Sequence, residues 1–142
     1  MRKVLVLVAA MILSACQTGI FIDESPAAMT DIRKAFVGLF GEPRSANYNG
    51  QILVSQYHDK RSRVDQSLAT GKTRYYTQLS ILGDRRPYRI KIEVFVEAQV
   101  APQEYEIIGE DMELAQKTAD RLQEALHQSL KGRNVIDDFR AF

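Results

Sequence analysis

The sequence predicts an α+β domain, with a small antiparallel sheet of about four strands and two helices packed on one face. Three observations carry that expectation. Apolar and polar residues alternate from Thr73 to Val100, on both sides of the turn-forming run Gly83 to Pro87. Apolar residues recur at helical spacing in one segment before this hairpin and in one after it. The strands follow one another directly between those helices, an order that suits an antiparallel sheet with helices segregated to one side.

The first helix is expected from about Ser25 to Phe40. Ser25 suits the cap, Pro26 the first helical position, and Gly41 followed by Pro43 the stop. Met29, Ile32, Phe36, Leu39 and Phe40 then share one face. A strand is expected over Gln51 to Tyr57, followed by a mobile polar loop from Asp59 to Lys72. In the hairpin, Tyr75, Thr77, Leu79 and Ile81 point one way on the first strand. On the second strand Tyr88, Ile90, Ile92, Val94, Val96 and Ala98 alternate with Arg89, Lys91, Glu93, Phe95, Glu97 and Gln99. This pattern gives one buried face and one wet or partly covered face. Tyr105 to Ile108 reads as a shorter fourth strand. The second helix is expected from Met112 to Lys131, capped by Asp111 and ended at Gly132, with Met112, Ala115, Ala119, Leu122, Leu126 and Leu130 as its apolar stripe. Val135, Ile136, Phe139 and Phe142 keep helical spacing and suggest a short docked turn.

The N-terminal fifteen residues do not belong to this fold. Arg2 and Lys3 precede ten apolar residues, Val4 to Leu13, a stretch too short to span a bilayer. Leu13-Ser14-Ala15-Cys16 follows, and this ending resembles the lipobox of bacterial lipoproteins. The resemblance implies cleavage before Cys16, a diacylglycerol thioether on its sulfur and a further acyl chain on the freed amine. Two or more acyl chains make anchoring stable, at roughly 0.8 kcal/mol per buried methylene. Gln17 in place of Asp implies the periplasmic side of the outer membrane under the enterobacterial sorting rule. The organisation expected is therefore a signal peptide over 1–15, a lipidated cysteine and tether over 16–24, and one domain over 25–142. Within the tether Ile20-Phe21-Ile22 is too apolar for a spacer and is expected to pair with a sheet edge or cover the core.

Composition narrows the function. Cys16 is the only cysteine, so acylation leaves no thiol for a disulfide or for redox chemistry. Of 19 Lys and Arg, Arg2 and Lys3 leave with the signal, and the remaining 17 nearly balance 18 Asp and Glu. Near neutrality gives no reason to expect a nucleic-acid partner. The charge is nevertheless polarised along the chain. Nine basic residues lie between Lys60 and Lys91 against Asp65 and Asp84, whereas Glu93 to Glu113 holds seven acidic residues and no basic one.

Catalytic signatures are not apparent. His58 and His127 read as surface or boundary residues, and no Gly-x-Ser-x-Gly run supports a nucleophile. Gly71-Lys72-Thr73 imitates the end of a phosphate-binding loop, but Gln66 replaces the first glycine and a strand follows. Glu93 and Glu97, and the adjacent pair Asp137 and Asp138, read as solvated carboxylates. No metal-ligand spacing or cofactor motif is present. The one candidate site is basic: Arg74, Arg89 and Lys91 on the polar face of the hairpin and Arg85 and Arg86 at its tip, suited to phosphate or carboxylate. The competing expectation is that these cations pair across strands with the acidic block.

The function expected is a non-enzymatic accessory lipoprotein, held to the membrane by its N-terminal lipid and binding a larger envelope protein or an anionic glycolipid. The element order over about Pro26 to Leu130 resembles that of lipopolysaccharide-assembly lipoproteins, which place helices on one face of a small sheet. The alternative is a periplasmic binding module that holds a small ligand between sheet and helices; a catalytic use of His58 or His127 is the third.

Overall fold

The computed structural model describes residues 18–132. Cys16 with the lipobox-like run before it and the apolar positions Val135, Ile136, Phe139 and Phe142 lie outside the described residues. The order of elements is β1 (Ile20–Ser25), α1 (Met29–Phe40), β2 (Ser45–Ala46), β3 (Ile52–Val54), a 3-10 turn (Gln66–Thr70), β4 (Thr73–Leu82), β5 (Tyr88–Ala101), β6 (Glu104–Glu110) and α2 (Met112–Lys131). The architecture is α+β with an antiparallel sheet, but the sheet has six strands instead of about four.

β5 organises the sheet. Its whole length from Arg89 to Ala98 pairs with β4, from Leu82 back to Thr73. Its other flank is shared end to end by two strands. β1 pairs with the first part, Ile20 opposite Ile92 and Ser25 opposite Tyr88, and β6 pairs with the second, Glu110 opposite Phe95 and Glu104 opposite Ala101. β3 and the two-residue β2 complete the sheet beyond β4.

Alternation then decides which side chains are buried. Leu79 and Ile92 form a cross-strand pair, as do Ile81 and Ile90 and Thr77 and Val94; all six lie on one face and are at most 2% exposed. The helices complete this face. Ile32, Phe36 and Phe40 of α1 and Leu114, Ala115, Ala119, Leu122 and Leu126 of α2 join the same core. α2 packs over β5 and β1, and α1 packs beside α2. Burying a side chain of the size of Phe36 or Ile90 contributes about 1.5–3 kcal/mol, so this single layer carries the fold.

The two helices differ in how well local chemistry marks them. α2 begins and ends where its cap residues predict: the Asp111 carboxylate accepts the Leu114 N–H at 2.9 Å, and the Gly132 N–H closes the last turn. Met112 departs from the expected stripe and is 44% exposed. α1 starts four residues later than expected, at Met29, with Ala28 at its cap and no side-chain cap. Ser25 does not cap it, because Ser25 is the last residue of β1 and pairs with Tyr88. The apolar triplet Ile20-Phe21-Ile22 is a true sheet strand, so the folded unit reaches back into the segment expected as tether. The Asp59–Lys72 segment is also more structured than expected. The Asp59 carboxylate accepts the N–H groups of Arg61 and Arg63 at 2.8 and 2.9 Å, which holds its pKa below the usual carboxylate range, and Asp65 caps the 3-10 turn.

Gly19 fixes the start of β1. Its φ is +95°, and a Cβ there would stand 2.9 Å from both Glu93 Cγ and Lys91 Cε. Gly19→Ala is expected to lower stability by about 1–3 kcal/mol in chemical denaturation, from strain plus displacement of those two side chains. Gly38→Ala, in a helix with open space around the added methyl, is expected to stabilise by roughly 0.5–1 kcal/mol in the same measurement.

Candidate functional site

Among the described residues no α-helix packs on the second face of the sheet, where side chains cover one another and Arg74 reaches the 3-10 turn. Across β4 and β5 the pairs are Arg74 with Glu97, Tyr76 with Phe95, Gln78 with Glu93 and Ser80 with Lys91. Tyr76 stacks on Phe95 at 5.2 Å and meets Tyr57 edge-on at 6.3 Å. Two guanidinium groups extend this into a longer row. Arg44 lies 4.1 Å from the Tyr57 ring centre, and Arg74 lies 3.9 Å from Tyr57 and 3.4 Å from Tyr105. The contact order Arg44–Tyr57–Arg74–Tyr105 alternates cation and ring. Burial and the nearby Glu97 carboxylate push the Tyr76 hydroxyl above its usual pKa, so it stays protonated and polar at neutral pH.

The structure distributes the five predicted basic residues very differently. Arg74 is 13% exposed; its Nε donates to Glu97 at 2.6 Å and its Nη1 to the Ala69 carbonyl at 2.5 Å. Arg89 pairs with Asp23 at 2.7 Å and lies 4.0 Å from the Phe21 ring centre, and Lys91 pairs with Glu93 at 2.6 Å. Arg85 and Arg86 sit exposed in the turn. Arg74 lies eight residue steps along β4 from Leu82 at the turn, a distance of about 27 Å. The five cations therefore do not converge on one anion, and three of them are paired with carboxylates. Glu93 and Glu97, expected as solvated surface, are the partners: their side chains are only 8% and 15% exposed. Only Arg74–Glu97 joins the two charged blocks across strands; Lys91 and Glu93 pair along β5, and Arg89 pairs with Asp23 of β1.

His58 is another correction, since it is fully buried and not a boundary residue. Its ring lies 5.1 Å from that of Phe40 and 6.3 Å from that of Tyr75. Nδ1 is 2.9 Å from the Asp59 carbonyl, which can only accept, so Nδ1 carries the proton. Nε2 then accepts from the Thr77 hydroxyl at 2.9 Å. The Ser55 hydroxyl takes the Thr77 N–H and donates to the Gln56 carbonyl, closing a satisfied network. Burial outweighs the carbonyl and carboxylate of Asp59 and holds the His58 pKa below the usual 6.5. Both ring nitrogens are occupied inside the core, so His58 offers neither to a substrate. His127 is exposed on α2.

The space between sheet and helices, where a small ligand was expected, is filled by Ile32, Phe36, Ile90, Ile92 and Leu122 at 0–1% exposure. A cleft of about 390 Å³ lies elsewhere, lined by Phe40, Glu42, Tyr57, Val64 and Asp65 at the end of α1. Among the described residues no group of three His, Cys, Asp or Glu is placed to hold a metal ion, and no helix is long and apolar enough to cross a membrane. No protein-family model, characterised protein or solved structure matches the chain.

Sequence reasoning missed the full row of rings and guanidinium groups because its members come from five separate segments. The only signal available was the alternation that sets Tyr76 and Phe95 on the polar side of the hairpin.

Two outcomes follow from these contacts. Unfolded, His58 takes up a proton near pH 6.5; folded, it does so only at lower pH, so stability present above 6.5 is lost as pH falls toward the folded value. Thermal melts from about pH 7.5 to about pH 5.5 should show that loss, and His58→Gln, less stable at every pH, should show a flatter profile. Arg74→Met leaves Glu97 enclosed without its cation and removes both ring contacts, an expected loss of about 2–4 kcal/mol by denaturation. Arg89→Met, whose pair with Asp23 is half exposed, should cost less than about 1 kcal/mol.

Proposed function

We propose that this chain is a non-enzymatic lipoprotein, anchored through Cys16 on the periplasmic side of the outer membrane, that serves as an accessory or assembly factor by docking a larger envelope protein. The observation that carries this reading is the sheet face that no described α-helix covers, with its row of Arg44, Tyr57, Arg74, Tyr76, Phe95 and Tyr105. Tyr and Arg are the side chains that carry most binding energy at protein interfaces, because they bury large rigid area while keeping a polar end. A protein partner suits this face better than an anionic glycolipid, since Arg74, Arg89 and Lys91 already have carboxylate partners. The lipobox supports the address, and the lone cysteine supports an anchor instead of a reactive thiol.

Two measurements test the reading. Mass spectrometry of the membrane-purified chain should find Cys16 as the N-terminal residue, bearing diacylglycerol; Cys16→Ala should abolish the modification. A photocrosslinking residue placed at Arg44, which is exposed at the end of the row, should give a discrete adduct with one larger envelope protein in cells. The same adduct should be lost in Tyr76→Ala/Phe95→Ala. An unmodified Cys16, or an Arg44 position that yields no adduct, would count against the proposal.

A further inference from the structure

The structure gives the lipid anchor a direction. Cys16 and Thr18 are two Cα–Cα steps apart, so their Cα atoms are separated by at most about 7.6 Å whatever lies between. Thr18 is not at a free end of the fold. It enters at the middle of the β5 flank, where its hydroxyl lies 3.5 Å from Glu93, and Gly19 is already buried beneath Lys91 and Glu93. The same point is the end of β6 and the start of α2: Glu110 pairs with Phe95, and the Asp111 N–H donates to the Val94 carbonyl at 2.9 Å.

We infer that the β1/β6 edge of the sheet lies against the bilayer that holds the acyl chains, with β6 and the first turn of α2 as the lipid-facing surface. This placement rests on lipidation of Cys16. A second observation supports it. Three of the large hydrophobic side chains that the fold leaves exposed lie on this stretch of chain, Ile107 and Ile108 on β6 and Met112 at the start of α2, at 55%, 63% and 44% exposure. Among the described residues β6 pairs with β5 alone, and no further strand lies on its outer edge. Glu106, Glu110, Asp111 and Glu113 flank the apolar side chains. Carboxylates beside an apolar patch suit a zwitterionic surface with ammonium headgroups and disfavour an anionic one. In this orientation the sheet stands on edge, and the aromatic row faces sideways, open to a partner in the same membrane.

The opposite edge provides the control. The turn between β2 and β3 lies four strand positions from β6, about 19 Å away at ordinary strand spacing, and Tyr48 there is fully exposed. Because acylation consumes the only native cysteine, Ile108→Cys and Tyr48→Cys each supply a single labelling site at an exposed position. The full lipidated protein carrying either label would be reconstituted in vesicles of phosphatidylethanolamine and phosphatidylcholine that contain a headgroup-nitroxide lipid quencher. Fluorescence at position 108 should be quenched several-fold more than at position 48. Equal or inverted quenching, with Cys16 shown by mass spectrometry to be acylated, overturns the placement and leaves the anchor standing. An unacylated Cys16 in the same preparation overturns both.

Discussion

The structure depends on β5 being paired along both flanks. A strand of fourteen residues with β4 along Arg89 to Ala98 on one side and β1 and β6 end to end on the other has most of its backbone polar groups placed within the sheet. Once β5 is fixed, the period of two leaves no freedom. Ile90, Ile92 and Val94 must lie under the helices, and Lys91, Glu93, Phe95 and Glu97 must lie on the other face. A slip of one residue would put two glutamates into the core. The register is therefore held as strongly by what cannot be buried as by what is.

The same constraint resolves the charge polarity of the chain. A basic block followed by an acidic block reads, along the sequence, as two separate surfaces. Antiparallel pairing brings Arg74 against Glu97 at the end of the hairpin far from its turn, Lys91 meets Glu93 two residues along β5, and Arg89 meets Asp23 of β1. With its charge matched, the Arg74 guanidinium can lie flat between aromatic rings. A face that would otherwise be a strip of exposed cations becomes a neutral, ring-rich surface.

Much of the fold was legible, and the failures have physical causes. α2 was read to the residue because Asp111, the apolar stripe and Gly132 all agree. The hairpin was legible because its alternation is long and Gly83 marks the turn. The start of α1 was misplaced because Ser25-Pro26 fits a helix start, while Ser25 is held instead by a partner 63 residues away, Tyr88. β2 is two residues long and has no pattern to find. His58 was misread because its burial comes from Phe40 and Tyr75, on other elements, and not from any local apolar run. Of the candidate site, the five basic positions were placed correctly on the hairpin face and turn. Their carboxylate partners and the ring contacts of Arg74 depend on side chains brought together only by tertiary structure.

β1 leads the fold in sequence, but it cannot be the first part to form. Ile20 pairs with Ile92, a separation of 72 residues, and no native partner for this strand exists until β5 has been made. Contacts so distant carry a large loop-closure cost and form late. The strand nearest the N-terminus therefore has no sheet partner until β5 is in place, and it then docks beside Lys91 and Glu93 under the tight approach of Gly19. The strand whose partner is most distant in sequence is thus the one that begins four residues after Cys16.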